Sequence, residues 1–277
     1  MTDRTSTRPS RGRSPARGVV ASVVGGALAL TGIAATTAPA ATAAEPSTFT
    51  STENPILGDG SYYSADPAPL VVPAGAPGNA TGADQLYVYT GHDEAGPRQN
   101  DFIMNEWGAF VTSDVDAGEW THHPSLMRPE EVFDWATPGR AYAGQVVQGV
   151  DGRYYWYVPV HEADSPASDA FGIGVAVSES PTGPWTDHVG APIISQRVPT
   201  PNTIHNIDPT VLVDGEGDDA RVYVWWGSFS NLRMLELGRD MRTPVGQVRT
   251  VTGLTGFFEA AWAFEREGTY YMAYAGN

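Results

Sequence analysis

Cysteine is absent from this 277-residue sequence, and so is lysine. Without cysteine there is no disulfide framework and no thiolate metal set, so stability has to come from a packed core, with or without a metal held by oxygen and nitrogen ligands. Without lysine, all 16 formal positive charges are arginine, set against 32 Asp and Glu for a net charge of −16. A surface this acidic repels polyanions, which excludes nucleic acid and anionic membrane as partners. A neutral polymer such as a polysaccharide is indifferent to it. Glycine-rich phosphate loops, serine-nucleophile elbows and HExxH spacing are missing too, and six histidines without cysteines make no zinc site.

The one long apolar stretch lies near the start. Arg4, Arg8, Arg11, Arg13 and Arg17 precede a run from Gly18 to Ala35, and Ala41-Thr42-Ala43 follows as a small-residue cleavage site. Charged, apolar and cleavage regions in that order read as a secretory signal peptide over residues 1–44, pointing to a secreted, extracellular bacterial protein. A membrane anchor is the poorer reading, because glycines and Thr31 interrupt the run. The remainder carries 11 Arg against 31 acidic residues, a formal charge of −20. Glu45 to Glu53 is Ser/Thr-rich and reads as a polar N-terminal tail ahead of a domain over 54–277.

Long amphipathic helical patterns are also missing. In their place stand short β-branched and aromatic runs between Gly, Pro, Asp and Asn, the pattern of an all-β domain. The runs repeat. A polar or acidic residue, a few apolar residues, a Gly-containing turn and an aromatic strand recur from Asp66 to Thr90, from Gln145 to Tyr157, from Asp208 to Trp226 and from Glu259 to Tyr274. Between them lie paired outer strands, Phe110–Ser113 with Gly118–His122 and Val175–Ser178 with Gly183–His188. Alternation of this kind predicts four-stranded blades around an axis, a β-propeller, of which about three and a half blades are present. The sequence stops at Asn277 in mid-unit, which reads as a piece of a longer protein.

Three of the unit starts bear acids. Asp66 and Asp208 are the only Asp-Pro pairs in the chain. A residue before proline is pushed out of the helical region, so both are expected in extended geometry. Asp-Pro also opens ordinary turns, and only the recurrence at equivalent places argues for chemistry. Glu259 stands between Phe257-Phe258 and Trp262, an apolar setting expected to favour its protonated form. One protonated carboxyl and one ionised carboxylate across a sugar linkage is what glycoside hydrolysis needs, and a third can tune the acid.

The sequence resembles glycoside hydrolase family 43, and within it the arabinoxylan arabinofuranohydrolases. The motifs that carry the likeness include Ser64-Ala65-Asp66-Pro67, Tyr89-Thr90-Gly91-His92-Asp93-Glu94, Met104-Asn105-Glu106-Trp107, Ala143-Gly144-Gln145-Val146-Val147, Ile207-Asp208-Pro209-Thr210, Trp226-Gly227 and Phe257-Phe258-Glu259-Ala260-Ala261-Trp262. The resemblance implies a five-bladed propeller and hydrolysis with inversion. In it Asp66 is the general base, Glu259 the general acid and Asp208 the residue that orients Glu259 and tunes its pKa. An inverting pair stands about 6.5–9.5 Å apart to admit the water. No cofactor is needed for the chemistry, and a structural calcium belongs to the complete ring.

The implied partner is arabinoxylan or arabinan, acted on by a monomer. A β-xylosidase or arabinanase of the same mechanism, a non-catalytic carbohydrate-binding propeller and a scaffold for protein partners are the alternatives. His92, Asp93 and Trp107 either flank the sugar pocket or buttress the first unit. Trp226 is either pocket wall or core, while Trp120 and Trp185, recurring in outer strands, are expected in the core.

Overall fold

The computed structural model describes residues 44–165 and 170–277. The chain divides after Ala41 into two units, and every described strand belongs to the second, Thr42–Asn277. The signal peptide expected over residues 1–44 therefore lies outside the described residues, Ala44 excepted.

The all-β expectation holds. The segment read as a polar tail forms strand β1 (Ser47–Thr50), a correction to the sequence reading. It adds antiparallel to the outer edge of the first sheet, Ser47 opposite His122 and Thr50 opposite Glu119. Phe49 meets Phe110 edge-on at 6.1 Å, so one aromatic anchor and an otherwise unpaired strand edge outweigh the polar composition.

The first sheet continues with β2 (Ser64–Val72), β3 (Gln85–His92), β4 (Trp107–Thr112) and β5 (Glu119–Met127), in the order β1-β5-β4-β3-β2. A short helix, α1 (Pro129–Val132), leads to the second sheet: β6 (Gln145–Gln148), β7 (Tyr154–His161), β8 (Phe171–Ser178) and β9 (Thr186–Asp187). The third holds β10 (Thr210–Asp214), β11 (Arg221–Trp226), β12 (Arg233–Leu237) and β13 (Pro244–Thr250). A two-stranded sheet, β14 (Phe257–Arg266) and β15 (Thr269–Gly276), comes last. Apart from the added β1, each sheet is an antiparallel meander whose second strand is the aromatic run read from the sequence.

The innermost strands pack in a row, β2 on β6, β6 on β10 and β10 on β14. Strand β7 shows why. All eight of its residues are buried, and alternation sends them to opposite faces. Tyr154, Trp156, Val158 and Val160 join the core shared with the first sheet, Tyr155 and Tyr157 that shared with the third. Their polar tips reach neighbouring segments: Tyr154 Oη donates to the Pro77 carbonyl at 2.7 Å and Tyr157 Oη to that of Met241 at 2.6 Å. Trp120 and Trp185 are buried as expected.

Candidate active site

The three acid-bearing stretches come together at one end of the inner strands, with a difference from the sequence reading. Asp66 and Asp208 are not extended: both sit at φ +54, in the left-handed region. The third residue at φ +54 is Ala260, not Glu259. Registers agree, since Ala68 pairs with Tyr89, Thr210 with Trp225 and Trp262 with Ala273, each two residues past a left-handed one. Glu259 thus stands one residue ahead of the place that Asp66 and Asp208 share. Proline disfavours only the right-handed helical region at the preceding residue, and a short polar side chain tolerates the left-handed one. Such backbone costs about 1–3 kcal/mol per residue and tends to persist where function needs it.

The carboxyls sense one another. Asp208 is buried, and burial pushes its carboxyl up to about 7, with the charges of Asp66 and Glu259 adding and the bond from the Ala260 N–H opposing. Asp66 is open to solvent on one side, yet loss of hydration, then the charges of Glu259 and Asp93, raise it above the usual carboxylate range. Glu259 is half-buried, less enclosed than its aromatic neighbours suggested, and its Oε2 accepts from Ser228 Oγ at 3.0 Å. Ser228 itself is 1 % exposed. The deeper burial falls on Asp208 instead.

Two links tie β10 to β14 and set Asp208 against Glu259. Asp208 Oδ2 accepts from the Ala260 N–H at 3.1 Å, and Thr210 Oγ1 accepts from the Ala263 N–H at 3.0 Å. Thr210 in turn donates to Gln145 Oε1 at 2.9 Å, and the same oxygen accepts from the Val211 N–H at 2.8 Å. The Gln145 amide returns a bond to the Val211 carbonyl at 3.2 Å. The second sheet has no acid at its start, and its contribution is this buried amide. In a low-dielectric interior a fully paired network of this kind gives the strands a single relative placement.

The pKa of Asp208 makes a stability prediction. A carboxyl raised from its unfolded value to about 7 contributes stability that is fully present below the unfolded pKa and lost as pH rises through 7. Asp208→Asn keeps an oxygen for the Ala260 N–H and removes the ionisation. It is expected to stabilise the fold at pH 8 by about 4 kcal/mol, at 1.36 kcal/mol per pKa unit, and by almost nothing at pH 3.5. Denaturant titrations at both pH values check this; a gap that does not change with pH refutes it.

Of the sugar-contacting candidates, His92 and Asp93 stay near the site. His92 stacks on Tyr62 with centroids 3.9 Å apart, and its Nδ1 lies 3.0 Å from Glu106 Oε1. Burial alone would raise Glu106, but bonds from Ser125 and His92 and the Arg128 charge hold its carboxyl below the usual range. Asp93 is close enough to act on Asp66. Trp107 and Trp226 are corrections. Each is 1 % exposed, and their indole N–H groups bond the Tyr142 carbonyl at 2.7 Å and Asn206 Oδ1 at 3.0 Å. Rings closed off this way belong to the core and have no face for a sugar.

Among the described residues no group of three or more His, Asp or Glu could hold a metal ion. The glycosylation-like Asn79-Ala80-Thr81 is structural: Asn79 is 2 % exposed and its amide donates to the carbonyls of Val72, Pro73 and Ala83. A cavity of about 410 Å³ lies away from the acids, lined by Leu212, Tyr223, Trp225, Phe264 and Tyr271. Ser228, Thr210 and Gln145 were not singled out as site residues by the sequence. Their one signal was place: Gln145 and Thr210 lie inside quoted motifs, and Ser228 directly follows Trp226-Gly227.

A sequence profile described as glycosyl hydrolases family 43 matches residues 80–277, which include Asp208 and Glu259 but begin after Asp66. The chain is 27 % identical over 223 residues to an arabinoxylan arabinofuranohydrolase of Bacillus subtilis, covering 70 % of this chain and 41 % of that protein. It is 29 % identical over 257 residues to a xylosidase/arabinosidase of Bacteroides ovatus, covering 77 % and 70 %. Among solved structures, an alpha-L-arabinofuranosidase from Clostridium thermocellum superposes with a TM-score of 0.58 at 30 % identity, covering 76 % of this chain and 64 % of that one. The chain therefore spans well under half of the Bacillus subtilis relative it matches.

Proposed function

This chain belongs to glycosyl hydrolases family 43, and on that premise we propose that it is an exported, inverting glycosidase releasing arabinofuranose from arabinoxylan side chains. The observation that carries the reading is the convergence of Asp66, Asp208 and Glu259 from three different sheets, close enough that their charges act on one another. Asp66, open to solvent and made more basic by its surroundings, takes a proton from water. The water oxygen bonds to the anomeric carbon as the carbon–oxygen bond to the leaving sugar breaks. Glu259 delivers a proton to that oxygen. Asp208 holds the Ala260 N–H, and with it the backbone that carries Glu259, while its own protonation near neutrality limits the negative charge beside the acid.

We place the row of inner strands in a five-bladed propeller and the acids at one mouth of its channel. The substrate is a neutral pentose polymer, in keeping with a lysine-free acidic surface. Incubation with arabinoxylan, xylobiose and linear arabinan tests the choice. Arabinose is expected as the main product from arabinoxylan, with proton NMR showing the inverted anomer first. Xylose from xylobiose, or arabino-oligosaccharides from arabinan, as the faster reaction would move the assignment to a β-xylosidase or an arabinanase. Tight binding without any product would make it a carbohydrate-binding propeller.

A further inference from the structure

Beside Glu259 lies an aromatic group that the hydrolytic chemistry does not use. Phe229 follows Ser228, the donor to Glu259, and 48 % of it is exposed. Its ring meets His205 at 4.7 Å and 62°, and Phe258 at 5.5 Å and 87°. His205 lies three residues before Asp208, and Phe258 immediately precedes Glu259. Three aromatic side chains are thus drawn from the Asp208 stretch, the Ser228 turn and the Glu259 stretch.

The backbone holds this ring outward at a cost. Phe229 and Ser230 are consecutive non-glycine residues at φ +52 and +65. The turn is tied down by the Ser230 N–H on the Phe258 carbonyl at 2.9 Å and by the Asn231 amide on the Phe229 carbonyl, also 2.9 Å. Left-handed conformations disfavour bulky L-residues, so an exposed phenylalanine there is not explained by folding. Its edge-on neighbours fix the ring plane while leaving part of the ring to solvent.

We propose that Phe229, braced by His205 and Phe258, is the platform on which the sugar on the leaving-group side of the scissile bond stacks, a xylopyranose of the polymer main chain. The assignment rests on the reading of Glu259 as the acid that protonates the leaving oxygen, since the sugar bearing that oxygen then lies against Glu259 and its neighbours. A pyranose presents a face of C–H groups that suits an aromatic ring, and it is neutral, so the surrounding acids do not repel it.

Calorimetric titration with xylotriose tests the platform independently of hydrolysis. Phe229→Ala and Phe229→Gly, the second of which relieves the left-handed strain, are expected to weaken xylotriose binding about tenfold, the equivalent of one lost ring contact, while Phe229→Tyr stays within about twofold. Melting temperatures confirm that the variants fold. The ratio of kcat/KM on arabinofuranosyl-xylotriose to that on methyl arabinofuranoside, which has no leaving-side ring, should fall by a similar factor in the first two variants. Unchanged xylotriose affinity in Phe229→Ala, or no xylotriose binding by the parent protein, overturns the platform. Phe229-dependent binding in a protein that hydrolyses neither substrate overturns the hydrolase reading and leaves the platform standing.

Discussion

Replacing Glu259 with glutamine is expected to lower kcat on arabinoxylan by about 10²–10⁴, the usual worth of a positioned general acid. The substitution keeps an oxygen for the Ser228 hydroxyl, so the loss reports the missing proton and not a collapsed side chain. The same variant should lose far less on a nitrophenyl arabinofuranoside, whose acidic phenol departs with little protonation. Asp66→Asn behaves differently. It removes the base that activates water, a step common to every leaving group, and should cost a similar factor on both substrates. Steady-state rates of the two variants on the two substrates form the test. Equal losses for Glu259→Gln on both would remove it from the acid role, and a leaving-group dependence in Asp66→Asn would exchange the two assignments.

Gly227→Ala carries the second large effect. Gly227 stands at φ +116, where a Cβ would lie 2.1 Å from the Asn231 carbonyl oxygen, far inside any real contact. Its N–H bonds the Ile207 carbonyl at 2.9 Å, next to Asp208, and its other neighbour is Ser228. The obstacle is backbone, so no side chain can turn aside. The loop has to shift, and both the Ser228 bond to Glu259 and the anchor beside Asp208 shift with it. A loss of about 3 kcal/mol in stability, at the upper end for single substitutions, is expected together with at least a tenfold fall in kcat, roughly 1.4 kcal/mol. Gly246→Ala is the comparison, at φ +75 with nothing within 4 Å of the added carbon. It should cost about 1–2 kcal/mol through conformation alone and leave kcat as it was. Denaturant melts and rates on both variants decide. If Gly227→Ala keeps its kcat, the Ser228 loop does not position the acid.

Cross-chain reach separates what was legible from what was not. The aromatic strands were readable because a strand's side-chain period is two and its turns are marked by glycine. The match at β3, β7, β11 and β15 followed. Asp66, Asp208 and Glu259 were readable because each sits beside a recurring motif. The polar Ser47–Thr50 was misread because an edge strand draws its stability from the partner's backbone and not from its own composition. Trp107 and Trp226 stayed open between pocket and core for a related reason: which face of a strand becomes core depends on the sheet stacked against it.

The sequence by itself determined the all-β class, the repeat, the acidic net charge and the places of the three acid-bearing stretches. These are properties of residue type and of spacing along one chain. The tertiary structure alone decided which acid is buried. Asp208 and Glu259 both follow apolar residues, yet burial falls on the one enclosed where sheets meet. It also decided that Glu259 is one residue out of step with the aspartates, that Gln145 and Thr210 hold the strands between them, and that Phe229 faces outward beside the acid. Burial, shared protons and ring contacts depend on distances between segments far apart in sequence, and only the packing of one sheet on the next sets those distances.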